Sequence, residues 1–375
     1  MKTILHVAQS AGGVERYINT LINKMNSEKW NHILVISEDY NLNNASKIAQ
    51  KVFVLPMKRE IDATSDIKNI INLRKIIKKL HPDVIYLHSS KAGALGRIAA
   101  IGLRKNVIYN PHGWAFNMTM DSKRKFLYAT IEKILANFCK KIITISNYEQ
   151  KTALARKISS KDKIITIYNG IDVNSDSNNS SSRQHLEACE LDAEKFTIGM
   201  VGRLDIQKAP DIFVKAAIEI KKIIPNAYFV MVGDGPLRND IEKMIIENGL
   251  EKFFNITGWV SNPLDYIASF DIAMLLSRWE GFGLVITEYM YMKKPIVVTN
   301  VDAIPELIRN NETGIIVEKD NIVEVVDAVK RYYNDILFRK KVVTNAYKDV
   351  IFKYDSKRVA KEHEILFNEI ISNNK

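Results

Sequence analysis

The chain has 375 residues, 46% of them apolar, with 54 Lys and Arg against 43 Asp and Glu and a formal net charge of +11 at pH 7. That is enough apolar material for a core in each of two domains, and no apolar run approaches the ~18 residues that a membrane-spanning helix needs. Cys139 and Cys189 have no paired spacing, which excludes a disulfide framework and a cysteine metal site and points to a reducing cytoplasm.

Short apolar runs alternate with helical periodicity from the first residue onward. Met1 to Ala8 is too short an apolar run for a secretory leader and carries His6, so it reads as the first strand. Strands are expected at Thr3–Val7, His32–Ile36, Val52–Leu55, Asp83–Leu87, Asn106–Asn110, Lys141–Ile145 and Lys163–Ile167. Helices fall between most of them, most clearly over Gly13–Met25, Lys91–Leu103 and Asn147–Lys157. The polar run from Asn174 to Ser182 contains nothing to bury and reads as a linker, residues 173–195 in all. Alternation restarts with strands at Phe196–Val201, Tyr228–Val232, Phe253–Ile256, Asp271–Leu276, Pro295–Val298 and Gly314–Val317. The fold class expected is α/β: two doubly wound domains, residues 1–172 and 196–355, each a mostly parallel sheet covered on both faces. Ligands of such sheets sit beyond the carboxyl ends of the strands, so a cleft between the two domains is the expected site.

Charge divides along the same boundary. Residues 1–172 hold 28 Lys and Arg against 13 Asp and Glu, a net of +15, while the remainder nets −4. An anionic partner for the first domain is implied. Two helical stretches carry much of this charge. Asp66 to Leu80 gathers Ile67, Ile70, Ile71, Ile77 and Leu80 beside Lys68, Lys75 and Lys79; Lys123 to Lys141 gathers Phe126, Leu127, Ile131, Ile134, Leu135 and Phe138 beside Lys123, Arg124, Lys125, Lys133, Lys140 and Lys141. Each reads either as a core-packing helix with a solvated lysine face or as a surface that docks on an anionic bilayer, where each cation contributes ~1 kcal/mol. Nucleic acid is not the expected partner: zinc-finger spacing, helix-turn-helix and aromatic single-strand motifs are missing, and the cations are spread over several helices.

The most informative segment is Glu280-Gly281-Phe282-Gly283-Leu284-Val285-Ile286-Thr287-Glu288. A glycine turn should place Glu280 in a loop and Glu288 about one and a half turns into the following helix, roughly 7–8 Å along the axis from Gly283. Between the carboxylates lie the free amides of a helix start, which attract phosphate. A ligand with hydroxyls at both ends and a diphosphate between them, a nucleotide sugar, fits that arrangement. Gly202-Arg203-Leu204-Asp205-Ile206-Gln207-Lys208 adds two cations five residues apart after another apolar strand. No Asp-X-Asp triplet occurs anywhere, so the usual metal-chelating route to a diphosphate is missing and no metal or other cofactor is expected.

With Gly-Arg-Leu followed by Lys208, the Glu280–Glu288 pair and Pro295 seven residues later, the chain resembles the retaining glycosyltransferases of family four, of GT-B fold, over nearly its whole length. The resemblance implies that Arg203 and Lys208 neutralise the donor diphosphate, that Glu288 binds the ribose and that Glu280 binds the donor sugar's hydroxyls. It implies backbone contacts from Gly281, Phe282, Gly283, Leu284 and Val285, and loops at Gly233 and at Trp259-Val260 that hold the nucleobase. Gly233-Asp234-Gly235-Pro236 is equally a plain turn sequence. In the first domain the resemblance assigns Gly12 and Gly13 to a loop bordering the diphosphate and the acceptor, and selects His112 over its rivals His6 and His88 as a sugar contact. The apolar run from Trp114 to Met120 either packs in the core or borders the acceptor path. The last helix, Ser356 to Ile371 within residues 356–375, is implied to return to the first domain. Ala209, Lys293 and Ala303 stand where the family commonly has glycine.

The resulting expectation is a retaining, metal-independent transferase that uses a nucleoside-diphosphate sugar, a UDP-sugar, and a lipid-linked oligosaccharide acceptor of capsule or other surface-polysaccharide assembly. It would be cytoplasmic and peripheral on the inner face of the membrane, docked through its basic first domain. The alternatives are a nucleotide-sugar epimerase of similar fold, a paired-carboxylate hydrolase, and a non-catalytic basic binding protein that would tolerate loss of Arg203 and Glu288.

Overall fold

A computed structural model describes the chain except for residues 10, 11, 59, 61, 174–191, 193, 374 and 375. It divides into two compact units, Met1–Asp172 with Ser356–Lys375, and Val173–Asp355. Most of the linker expected at 173–195, and Ala11 of the glycine loop, lie outside the described residues.

Unit 1 is built on seven parallel strands, β1 (Lys2–Ala8), β2 (Trp30–Ile36), β3 (Lys51–Val54), β4 (Val84–His88), β5 (Val107–Asn110), β6 (Lys141–Thr144) and β7 (Ile164–Thr166), in the order β3-β2-β1-β4-β5-β6-β7. Alternation along β1 sends Leu5 and Val7 to a layer with Leu73, Ile77 and Leu95, and Ile4 and Ala8 to a layer with Tyr17, Ile18, Leu21 and Phe367. Phe367 belongs to helix Ser356–Ser372, which packs in this unit: Ser356 N–H donates to the Ile171 carbonyl at 2.9 Å, and Asn26 N–H donates to Glu364 at 2.7 Å.

Unit 2 has six parallel strands, β8 (Phe196–Val201), β9 (Ala227–Val232), β10 (Phe254–Ile256), β11 (Ile272–Leu275), β12 (Ile296–Thr299) and β13 (Ile315–Val317), in the order β10-β9-β8-β11-β12-β13. The expected doubly wound α/β architecture is present in both units, and every expected strand is found within two residues of its expected ends. Both sheets reverse direction beside their first strand, at β1/β4 and at β8/β11, which are the switch points where ligands of such sheets bind.

Helix ends differ more. Helix Ala63–Leu80 starts three residues before the expected Asp66, because the Asp62 carboxylate accepts Ser65 N–H at 3.1 Å and caps it. The expected Lys123–Lys141 helix is Ser122–Leu135 followed by a 3-10 turn, Ala136–Phe138, and Lys141 already belongs to β6. His6 lies inside β1 and does not end it, whereas His88 is the last residue of β4.

Candidate active site

In unit 2 Arg203 and Lys208 lie in the loop at the carboxyl end of β8 and Glu280 in the loop at the carboxyl end of β11, on either side of the switch point, with Glu288 in the helix that follows. Lys208 Nζ donates to Glu280 Oε2, and both side chains are largely buried. Glu280 is held from three further directions. Ser277 Oγ donates to its Oε2 at 3.3 Å, its N–H donates to Asp302 at 2.9 Å, and its carbonyl accepts Ala303 N–H at 3.3 Å. The two loops are stitched together by residues the sequence reading did not single out. Gln207 Nε2 donates to the Trp279 carbonyl at 3.0 Å, and Arg278 donates to Asp211 at 2.7 Å, Asp320 at 2.9 Å and the Ile206 carbonyl at 3.1 Å. Burial works to raise the Asp211 carboxyl, and the hydrogen bond and charge of Arg278 outweigh it and hold it below the usual 3.8. These partners carry no motif; they become visible only when the loops are folded against each other.

Gly283 caps helix Leu284–Tyr291 in the left-handed region at φ 83, where a Cβ would meet Ile286 Cδ1 at 3.0 Å and Glu280 Cγ at 3.3 Å. The helix is fastened to the strand ends by Tyr289, whose hydroxyl accepts Val201 N–H at 2.9 Å and donates to the Met274 carbonyl at 3.3 Å. The amides of Leu284 and Val285 therefore sit at a helix start beside Glu280, with Glu288 buried in the next turn at 3% exposure. The Phe282 ring is buried against Tyr354, centroids 5.8 Å apart, so only its backbone could serve a ligand. Arg203 is 47% exposed and pairs with Asp205 at a long 3.8 Å.

Gly233 and Gly258 meet in an isolated bridge beyond β9 and β10. A Cβ on Gly233 would lie 2.0 Å from the Gly202 carbonyl oxygen, so this glycine lets the β8 and β9 loops touch, and Leu204 N–H donates to the Asp234 carbonyl at 3.0 Å across the contact. Trp259 stands 71% exposed after β10, next to the half-buried Val260.

In unit 1, Gly12 caps helix Gly13–Lys24 at φ 83, and a Cβ on either Gly12 or Gly13 would meet nothing within 4 Å. The turn needs glycine at residue 12 for its backbone, and the space beside both residues is open. His112 is held at φ 52 by its N–H donating to Asn110 Oδ1 at 2.9 Å. Its rivals are not separate from it: His88 Nδ1 lies 2.9 Å from His112 Nε2, and His6 Nδ1 lies 3.2 Å from His88 Nε2. Trp114 and Phe116 stack in the core with centroids 5.1 Å apart, and the Trp114 indole donates to the Glu149 carbonyl at 3.0 Å, so the aromatic part of that apolar run is packing. Of the Lys123–Lys141 stretch, for which core packing and a docking surface were both open, Leu135 is buried and Phe126, Leu127, Ile134 and Phe138 are exposed.

Comparison with known proteins agrees with this architecture. Residues 11–175 match the family described as Glycosyltransferase Family 4, and residues 182–349 match Glycosyl transferases group 1. The chain is 30% identical to the Escherichia coli UDP-Gal:alpha-D-GlcNAc-diphosphoundecaprenol alpha-1,3-galactosyltransferase over 331 residues, 86% of this chain and 85% of that one. It is 31% identical to an uncharacterized 41.2 kDa protein in the cps region of Klebsiella pneumoniae, covering 94% of this chain and 99% of that one. The structure of Anabaena Alr3699/HepE in complex with UDP and glucose superposes with a TM-score of 0.83 over 98% of this chain and 100% of that one, at 22% identity. The two Rossmann-like units are thus those of a GT-B enzyme, and the chain belongs to the glycosyltransferases that pair a Family 4 domain with a group 1 domain.

Proposed function

We propose that this glycosyltransferase moves a sugar, with retention of configuration and without a metal, from a UDP-sugar to a lipid-linked saccharide in the assembly of a surface polysaccharide, working peripherally at the inner face of the cell membrane. The observation that carries the proposal is the convergence of Lys208, Glu280 and the start of helix Leu284–Tyr291 at the β8/β11 switch point, with Arg203 exposed on the loop that follows β8. The E. coli relative is named for a UDP-galactose donor and a diphosphoundecaprenol-linked acceptor, which supports the donor and acceptor classes.

In this reading the diphosphate lies at the amides of Leu284 and Val285, with Arg203 and Lys208 beside it. Glu288 accepts from the ribose hydroxyls and Glu280 from the hydroxyls of the sugar. Gly233, Trp259 and Val260 border the nucleobase, Gly12 and Gly13 border the diphosphate from unit 1, and His112 contacts the sugar. The bond from the anomeric carbon to the β-phosphate oxygen breaks, and UDP departs with its new charge met by Arg203, Lys208 and the helix amides. The acceptor hydroxyl attacks from the same face and gives its proton to the departing phosphate oxygen. Preorganised cations and amides of this kind contribute ~3–4 kcal/mol each to such a step.

The test is nucleotide release from a panel of UDP-, GDP- and ADP-sugars in EDTA, with the anomeric configuration of the first product read by NMR. Release from a UDP-sugar in EDTA with retained configuration is expected, and Lys208→Met should slow it by about a hundredfold or more. Release that requires added magnesium would overturn the metal-independent part. A folded protein that releases nothing from any donor would overturn the proposal.

A further inference from the structure

The core of unit 1 contains a row of four imidazoles that runs sideways across its sheet. His32 on β2, His6 on β1, His88 at the end of β4 and His112 after β5 follow one another by hydrogen bonds. His32 Nδ1 is 3.1 Å from His6 Nε2, His6 Nδ1 is 3.2 Å from His88 Nε2, and His88 Nδ1 is 2.9 Å from His112 Nε2. The rings of His6 and His88 stack at 12°, and those of His88 and His112 at 22°. The nitrogens face one another in pairs and converge on no common point, and among the described residues no group of three His, Cys, Asp or Glu is placed to hold a metal. The row is a hydrogen-bond chain. Burial, together with the neighbouring rings, keeps its members neutral: His6 and His88 lie well below 6.5, His32 is lowered to about 4 and His112 to about 3.

A neutral imidazole has one N–H and one lone pair, so each ring can donate on one side only and the row must have a single polarity. The end at His32 decides which. His32 Nε2 is buried with no partner. If protons sat on the Nε2 atoms, this nitrogen would be an orphaned buried N–H. If they sit on the Nδ1 atoms, it is only an unused lone pair, the lesser defect. The favoured row therefore donates from His32 to His6 to His88 to His112, and His112, accepting at Nε2, carries its proton on Nδ1. Among the described residues nothing hydrogen-bonds His112 Nδ1.

The ring is clamped as well as polarised. Asn110 bonds the His112 backbone through Oδ1 and donates from Nδ2 to the Tyr86 hydroxyl at 3.2 Å. The Tyr17 ring meets the His112 ring edge-on, with centroids 4.6 Å apart. A second chain fixes those tyrosines. His363 donates from Nδ1 to the Val359 carbonyl at 2.7 Å, and its Nε2 is left to accept from the Tyr17 hydroxyl at 2.8 Å. Tyr86 and Tyr17 hydroxyls are 2.9 Å apart. So much buried polarity in place of apolar packing weakens a core unless each group is satisfied, and it serves specificity of arrangement more than stability.

We propose that His88, His6 and His32 are positioning residues for His112: the imidazole row imposes the Nδ1–H tautomer on it, so that His112 meets the transferred sugar as a hydrogen-bond donor to a hydroxyl oxygen. This rests on the reading of His112 as a sugar contact. A free imidazole would sample both tautomers, and part of its population would present a lone pair where a donor is needed.

The test is a long-range proton–nitrogen NMR spectrum of the full chain labelled with nitrogen-15 in histidine, at neutral pH. His112 is expected as a single neutral Nδ1–H tautomer; an Nε2–H tautomer or an average of the two overturns the proposal, whatever the variants do. His6→Phe keeps a ring and removes the relay. It should mix the His112 tautomers and lower kcat/KM for the donor by roughly threefold to tenfold, the worth of one hydrogen bond. His88→Asn, whose amide nitrogen reaches about the place of Nδ1, should retain more activity than His88→Leu. Equal activity of these two, or an unchanged His6→Phe in both spectrum and rate, overturns the relay while leaving His112 as a sugar contact. Wild-type transfer by His112→Ala would remove the sugar contact itself, and the proposal with it.

Discussion

Ala209 and Lys293, two of the positions where this chain lacks the glycine common among the proteins it resembles, sit in the left-handed region at φ 52 and φ 53. The glycine preference there is a backbone demand, since an L side chain in that region costs roughly 1–2 kcal/mol. Ala303, the third departure, has φ −88 and makes no such demand. Residue identity alone treats the three alike; only the torsion angles separate them. Ala209→Gly should therefore stabilise unit 2 by up to about 1 kcal/mol after the looser unfolded chain is counted, whereas Ala303→Gly should destabilise it. Thermal melts of the two variants shifting in the same direction would contradict this account. The same limit of residue-level reading applies at the proposed donor site. Arg203, Lys208, Glu280 and Glu288 could be picked out by type and spacing, but the Lys208–Glu280 pairing and the Arg278, Gln207 and Asp302 contacts behind it could not, because they join loops far apart in sequence.

Among the elements, helix Ser122–Leu135 departs most from what its pattern suggests. Its anchor is polar. Glu132 is buried and accepts Arg97 Nη2 and the Tyr109 hydroxyl, each at 2.8 Å, with the Arg97 guanidinium 3.9 Å above the Tyr109 ring. A periodic pattern marks apolar residues as the inward face, yet here a buried ion pair fixes the rotation and leaves Phe126 at 74% exposure beside Lys123, Arg124 and Lys125. An exposed apolar row flanked by cations suits a bilayer interface. Sedimentation with anionic vesicles should show binding that weakens with salt. Phe126→Ser with Leu127→Ser should lower the partition coefficient by about tenfold or more at fixed salt, from the apolar area no longer inserted. Wild-type binding by that double variant would sink the insertion account, and salt-insensitive binding would remove the electrostatic part.

At the scale of the whole molecule, every described histidine belongs to unit 1: His6, His32, His81, His88, His112 and His363. Four of them, His6, His32, His88 and His363, are buried, His112 is half-buried, and all five resist protonation. His32 and His363 do so down to about 4, His112 to about 3, and His6 and His88 lie well below the usual 6.5. As pH falls below 6.5 the unfolded chain binds protons at these rings and the folded unit does not, so stability is lost across the window from 6.5 to about 4. Each such ring contributes roughly 1.4 kcal/mol per pH unit over that range. Calorimetry from pH 7 to pH 4.5 should show one transition, that of unit 1, moving to lower temperature well ahead of the other. Parallel movement of both would mean that the imidazole row does not dominate the acid response.

The alternation of strands and helices, the two-unit α/β architecture and the charged and glycine positions of the proposed donor site were determined by local sequence, because period, turn chemistry and motif spacing act over a few residues. Tertiary structure alone decided which of His6, His88 and His112 stands alone, and the answer is none, because parallel register lays β2, β1 and β4 side by side. It likewise decided the pairing of Lys208 with Glu280 and the outward turn of Phe126. Each depends on groups tens of residues apart meeting in a low-dielectric interior, where a hydrogen bond or ion pair outweighs the local preference of either partner.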